Sequence, residues 1–145
     1  MTELDELVYP NGVALRADAR RLYLAFTTPR SVGVYALDPQ SGSLAPRREI
    51  FVGSGVDNID VAADGDLWIG SHPKLLAVGA HAEDPEHLSP SQVLRVEPGS
   101  GRIEEVYLDL ADELSGVSVA AVHGERMLLG QIYDEGILDC SLSPE

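Results

Sequence analysis

The sequence has one cysteine in 145 residues, Cys140, so it cannot close an internal disulfide. It has no Cys-x-x-Cys or His-x-x-x-His pair, and His72, His81, His87 and His123 are scattered, which argues against a dedicated zinc site. Basic residues are few: 10 Lys and Arg face 24 Asp and Glu, for a formal net charge of -14. Such a field repels phosphate backbones, so nucleic acid is not an expected partner. Its ordinary meaning is a solvated surface, and it also draws cations. No apolar run approaches the roughly 20 residues that a membrane helix needs. The first residues, Met1 to Glu6, are acidic where a signal peptide would be basic and then apolar, so the expectation is a chain neither exported nor inserted by its own start.

What the sequence does contain is alternation and turns. Its 44% hydrophobic content suits a packed core. The organising stretch runs from Gly55 to Gly70. Asp57 and Asn58 stand at the head of an alternating segment that reaches the turn Asp64-Gly65-Asp66 and returns through Leu67 to Ser71. Asn11 and Gly12 open an earlier copy of the same plan, with Asp18 to Arg20 as its turn and Leu22 to Phe26 as its return. Asp supplies a charged hard oxygen and Asn a neutral one, the donors that calcium prefers.

Further strands are expected at 32–37, 49–52, 75–78, 92–96, 103–108, 117–122, 127–132 and 137–142, with 82–90 as a polar excursion. Leu108 to Leu114 is the one helix-like stretch. Asn11 and Asn58 are 47 residues apart, and Asp18 and Asp64 are 46 apart, close to the spacing of propeller repeats. The reading is an all-β fold, a single unit over residues 1–145 made of about three four-stranded β-propeller blades. Propellers normally close with four to eight blades, so the arc is expected to be incomplete.

These residues carry a family resemblance. Asn11-Gly12-Val13, Arg21-Leu22-Tyr23-Leu24, Val56-Asp57-Asn58-Ile59, the run from Gly65 to Pro73, Ser91 to Val96, and Val119 to Val122 with Leu128-Leu129-Gly130 keep one order. In these the chain resembles the C-terminal portion of the paraoxonase/arylesterase family, calcium-dependent six-bladed β-propeller esterases and lactonases. The resemblance implies that Asn11, Asp57 and Asn58 ligate a catalytic calcium and that Asp57 is also a nucleophile or base. It places His72 in the catalytic cavity, and Tyr9, Ser118 and Ile132 on the pocket wall. Cys140 matches a cysteine that in the family bonds to one near the N-terminus, and Ser71 stands where the family carries a free cysteine. The family's other calcium ligands, a Glu and another Asn, and its histidine pair match nothing in this chain. Family members are often secreted or membrane-associated through an N-terminal segment.

Each residue also has a plainer meaning. Asp57 and Asn58 suit a strand-entry turn, Asn11-Gly12 a simple turn, and His72 a packed or surface histidine. Trp68 reads as core, Cys140 as a small core residue, and His81, His87 and His123 as solvated. The leading functional reading is a calcium-dependent hydrolase of small carboxylic esters or lactones. The alternatives are a non-catalytic calcium-binding or scaffolding fragment, completed by a second copy or by N-terminal blades, and a gluconolactonase-like sugar-lactone hydrolase.

Overall fold

The computed structural model describes Leu4 and residues 7–133 and 135–142. Three antiparallel meanders follow one another along the chain. The first is β1 (Pro10–Leu15), β2 (Arg21–Phe26), β3 (Ser31–Leu37) and β4 (Leu44–Phe51). The second is β5 (Gly55–Val61), β6 (Leu67–His72), β7 (Ser91–Val96) and β8 (Ile103–Asp109). The third, among the described residues, has three strands: β9 (Val117–His123), β10 (Arg126–Gln131) and β11 (Ile137–Ser141). Within each sheet, sequence neighbours are spatial neighbours, as short hairpins require.

The hairpins form through their own side chains. Asp18, Asp38 and Asp64 each accept the N–H two residues on, from Arg20, Gln40 and Asp66, at 3.0, 2.9 and 3.0 Å. This local bond bends the chain before any distant contact forms. Gly65 then takes φ +94, a backbone that side chains with a Cβ rarely adopt.

The sheets stack face to face, with β5 between β1 and β9. Tyr23, Val32, Val34 and Ile50 of the first sheet meet Val56, Leu67, Ile69, Leu94 and Val96 of the second in one apolar cluster. On the other side of the second sheet, Trp68 and Val93 meet Val117, Ala120, Met127 and Leu129 of the third. Leu67 and Ile69 therefore point one way and Trp68 the other, the period of two expected of a strand. All six residues of β6 are buried, because its sheet is covered on both faces. Stacked meanders with their first strands together are β-propeller blades, and the chain is a partial β-propeller.

Three expectations require correction. Leu75 to Val78 is not a strand but the start of α1 (Leu75–Glu83). A four-residue apolar run carries no period of its own, and Ala77, Ala80 and Ala82 favour helix until Asp84-Pro85 ends it. Leu108 to Leu114 is not helical: β8 continues to Asp109, whose carboxylate accepts the N–H groups of Asp112, Glu113 and Leu114 at 3.0, 3.1 and 2.9 Å. Among the described residues there are eleven strands in place of about twelve. No helix of the described residues is long and apolar enough to cross a membrane.

Ile69 is fully buried, so Ile69→Ala is expected to destabilise the fold by about 2–5 kcal/mol. Half-exposed Leu128 serves as the control, and urea unfolding midpoints measure both. Asp109 gives a pH test. Burial pushes its carboxyl up, but the N–H groups of Leu114, Asp112, Glu113 and Ala111 outweigh this and hold it below the usual value. Its stabilisation is complete above the unfolded-state value of about 3.9 and is lost as pH falls through the lower folded-state value. The stability gap between wild type and Asp109→Asn is expected to be level from about pH 7 to about pH 5 and to narrow below about pH 4.

Candidate functional site

Each of the three innermost strands carries a β-bulge near its start. On β1 the pairing jumps from Pro10↔Phe26 to Val13↔Leu24, so Asn11 and Gly12 share one partner position. On β5 it jumps from Val56↔Ser71 to Ile59↔Ile69, so Asp57 and Asn58 share one position opposite Gly70. On β9 it jumps from Val117↔Gln131 to Val119↔Gly130, leaving Ser118 as the extra residue. A bulge bends its strand and re-aims a side chain. Here three bulges turn Asn11, the pair Asp57 and Asn58, and Ser118 out of the regular alternation at one end of the blades.

Two glycines let these bulges approach each other. A Cβ at Gly12 would collide with the Asp57 carbonyl oxygen and lie 2.8 Å from Asn58 Cα. A Cβ at Gly70 would collide with the Ser118 carbonyl oxygen and lie 2.7 Å from Val119 N. Backbone thus packs on backbone from the first blade to the second and from the second to the third.

The side chains form one connected set. Asp57 is 5% exposed and His72 3%. His72 Nε2 lies 3.4 Å from Asp57 Oδ2, and Asn58 Nδ2 donates to Asp57 Oδ1 at 3.3 Å. Asn58 and His72 therefore flank the two oxygens of the carboxylate, one on each. Asn58 Nδ2 also donates to Ser118 Oγ at 2.8 Å. Asn11 Nδ2 donates to Thr27 Oγ1 at 3.3 Å, and Thr27 Oγ1 donates to the Val56 carbonyl at 2.7 Å. Among the described residues no lysine or arginine pairs with Asp57.

Tyr9 and Ile132 lie at the same end of the blades but outside this set. Tyr9 is 62% exposed, with a left-handed backbone (φ 48), and its carbonyl accepts the Thr27 N–H at 3.3 Å. Ile132 donates its N–H to the Gly116 carbonyl at 3.2 Å. Among the described residues neither bonds to Asp57 or His72. Sequence reasoning missed Thr27, which reads as part of a Thr-Thr-Pro turn and shows its role only once β2 is placed beside β5.

His81 corrects another expectation. It is buried on α1, with its ring centroid 5.2 Å from that of Tyr133, and is not solvated. Cys140 packs half-buried against the second apolar cluster, and its sulfur is a free thiol. Burial pushes that thiol up, with Glu113 and Asp139 adding to the shift, so it stays protonated at neutral pH. A cleft of about 780 Å³ between the second and third blades is lined by Trp68, Arg95, Tyr107 and Cys140 among others, and by none of Asn11, Asp57, Asn58 or His72.

The donor chemistry fits a hard cation in part. Asn11, Asp57 and Asn58 offer side-chain oxygens on adjacent bulges, and among the described residues the two amide oxygens accept no hydrogen bond. A calcium ion takes about six to eight oxygens. This set supplies a minority of them.

Three stacked blades with bulges at the head of their inner strands define a partial β-propeller. The chain belongs to the arylesterase family, whose model matches residues 3–142. It is 27% identical to serum paraoxonase/arylesterase 2 of Rattus norvegicus over 131 residues, covering 88% of this chain and 36% of that protein. To serum paraoxonase/arylesterase 1 of Homo sapiens it is 27% identical over 133 residues, covering 89% and 37%. The chain therefore spans just over a third of the length of these curated relatives. The periplasmic gluconolactonase of Pseudomonas aeruginosa shares the fold, with a TM-score of 0.55 at 20% identity over 83% of this chain and 32% of that one.

Gly12→Ala is expected to push β1 away from β5 and to cost about 1–3 kcal/mol. Thermal melts would measure the cost. Backbone amide shifts confined to residues around Asn11, Asp57 and Asn58 would locate it.

Proposed function

We propose that this chain carries the calcium-facing part of a centre that hydrolyses small carboxylic esters or lactones. The observation that supports it most is Asp57: a buried carboxylate flanked by Asn58 and His72, with no lysine or arginine among the described residues beside it. A buried charge is costly unless paired. A cation held by Asn11, Asp57 and Asn58 would pair it, and the family membership supports calcium in that place. Water, substrate or groups from outside these residues would complete the coordination shell. The six-bladed ring implied by the family resemblance would place further blades, or a second copy, beside these three.

When bound, calcium supplies a Lewis acid for the substrate carbonyl oxygen and for the oxyanion that develops there. Asp57 acts as the general base, taking a proton from the water whose oxygen attacks the carbonyl carbon. As the oxyanion collapses, the ester C–O bond breaks and that proton passes to the departing alkoxide or phenoxide. His72 and Asn58 hold the two carboxylate oxygens in orientation for that transfer. Tyr9, Ser118 and Ile132 form the rim that the ester or lactone passes.

The test is thermal unfolding with excess calcium chloride and with a chelator. Binding to the folded state raises stability, by about 2.7 kcal/mol at a hundredfold excess over Kd. The expected result is a calcium-dependent rise in Tm that Asp57→Asn and Asn58→Ala abolish. An unchanged Tm would remove calcium from the reading. Phenyl acetate, a long-chain lactone and gluconolactone then discriminate the substrate. Hydrolysis of gluconolactone alone would replace this reading with a sugar-lactone hydrolase.

A further inference from the structure

We propose that Thr27 is a positioning residue: it fixes which end of the Asn11 amide faces the centre of the fold. The orientation rests on hydrogen-bond geometry alone. Its use toward calcium rests on the function proposed above.

A threonine hydroxyl has one proton. In Thr27, which is 7% exposed, that proton goes to the Val56 carbonyl, 2.7 Å away on the neighbouring blade and one residue before Asp57. Only lone pairs remain on Oγ1, so toward Asn11 Thr27 can only accept. The Asn11 atom 3.3 Å away must then be the amide nitrogen, and Oδ1 is turned away from Thr27. A flipped amide would set oxygen lone pairs against oxygen lone pairs. Asn58 is fixed by the same logic. Its nitrogen lies 3.3 Å from the Asp57 carboxylate, which only accepts, and 2.8 Å from Ser118 Oγ.

Both amides thus have their nitrogens held by protein and their oxygens left for a ligand. A freely turning asparagine presents its oxygen only part of the time and loses entropy when a cation fixes it. Groups that orient a ligand residue commonly contribute tenfold to a hundredfold in metal affinity. Thr27 also joins the first blade to the second, so the Val56 bond that directs its hydroxyl proton away from Asn11 forms only when those blades are docked. Serine in its place would keep both hydrogen bonds. Valine would keep the branched shape and lose both.

The first test needs no metal and no substitution. In the unmodified protein, nuclear Overhauser contacts are expected between the Asn11 Hδ2 protons and the Thr27 side chain, and their absence overturns the proposal. In Thr27→Val those side-chain amide signals are expected to move to the positions and exchange rates of an exposed asparagine. Thr27→Ser should retain the wild-type pattern, and no change in Thr27→Val also overturns the proposal. The second test is calorimetric titration with calcium chloride alone. Affinity is expected to fall tenfold to a hundredfold in Thr27→Val and to recover in Thr27→Ser. Equal affinity in Thr27→Val overturns the role toward calcium. Failure of the wild type to bind calcium instead overturns the function proposed above, and the amide measurement still decides whether Thr27 orients Asn11.

Discussion

The close approach of backbone to backbone at Gly12 and Gly70 is the constraint on which the rest of the structure depends. Sheets stacked face to face are ordinarily kept about 10 Å apart by their side chains. At these two positions there is no side chain, so β1 of the first blade meets β5 of the second at Asp57, and β6 of the second meets β9 of the third at Ser118. Every later feature of the centre inherits this. The bulges on β1, β5 and β9 can align only because the strands are near. Thr27 reaches the Val56 carbonyl, and Asn58 reaches Ser118, across a gap that one methyl group would widen.

The charge of the molecule is distributed in keeping with this arrangement. Most acids lie on turns and exposed strand faces. Asp18, Asp38 and Asp64 have a local task there, closing hairpins, and Asp64 and Asp66 pair with Arg95 at 3.2 and 2.7 Å. Asp57 and Asp109 differ in being buried: backbone N–H groups hold Asp109, and Asn58 and His72 hold Asp57. The negative field that the sequence shows as a whole is therefore mostly a property of the surface. The proposed chemistry depends on one carboxylate, Asp57, that no lysine or arginine among the described residues pairs with.

Strands and hairpins were legible in the sequence because their signals are local. Asp-x-x turns and alternating apolar residues specify a hairpin without knowledge of what it packs against, and the two copies led by Asn11 and Asn58 exposed the repeat. The doublet Asp57-Asn58 read as a strand-entry pair, and the bulge that it forms shows only in the pairing of β5 with β6. Leu75 to Val78 failed because a four-residue apolar run fits helix and strand equally, and Lys74 offers no side-chain cap to separate them. His81 was misplaced with it, as its burial depends on how α1 meets Tyr133. Thr27 was invisible for a different reason: its partners lie 16 residues back across the β1–β2 hairpin and 29 residues ahead on a blade that meets it only in the finished stack. Family resemblance singled out Asn11, Asp57 and Asn58, and had nothing to say about what holds them.

The meander order of the blades has a consequence for how such a centre comes into being. Each blade is a continuous stretch of chain and forms through local contacts, which are fast to make. The residues of the centre are dealt one group to a blade: Asn11 to the first, Asp57 and Asn58 to the second, Ser118 to the third. The second blade alone carries Asp57 with Asn58 and His72, and the first must dock to bring Asn11 beside them. The proposed ligand set is therefore complete only once the first two blades dock, so an ion held there would register that docking event.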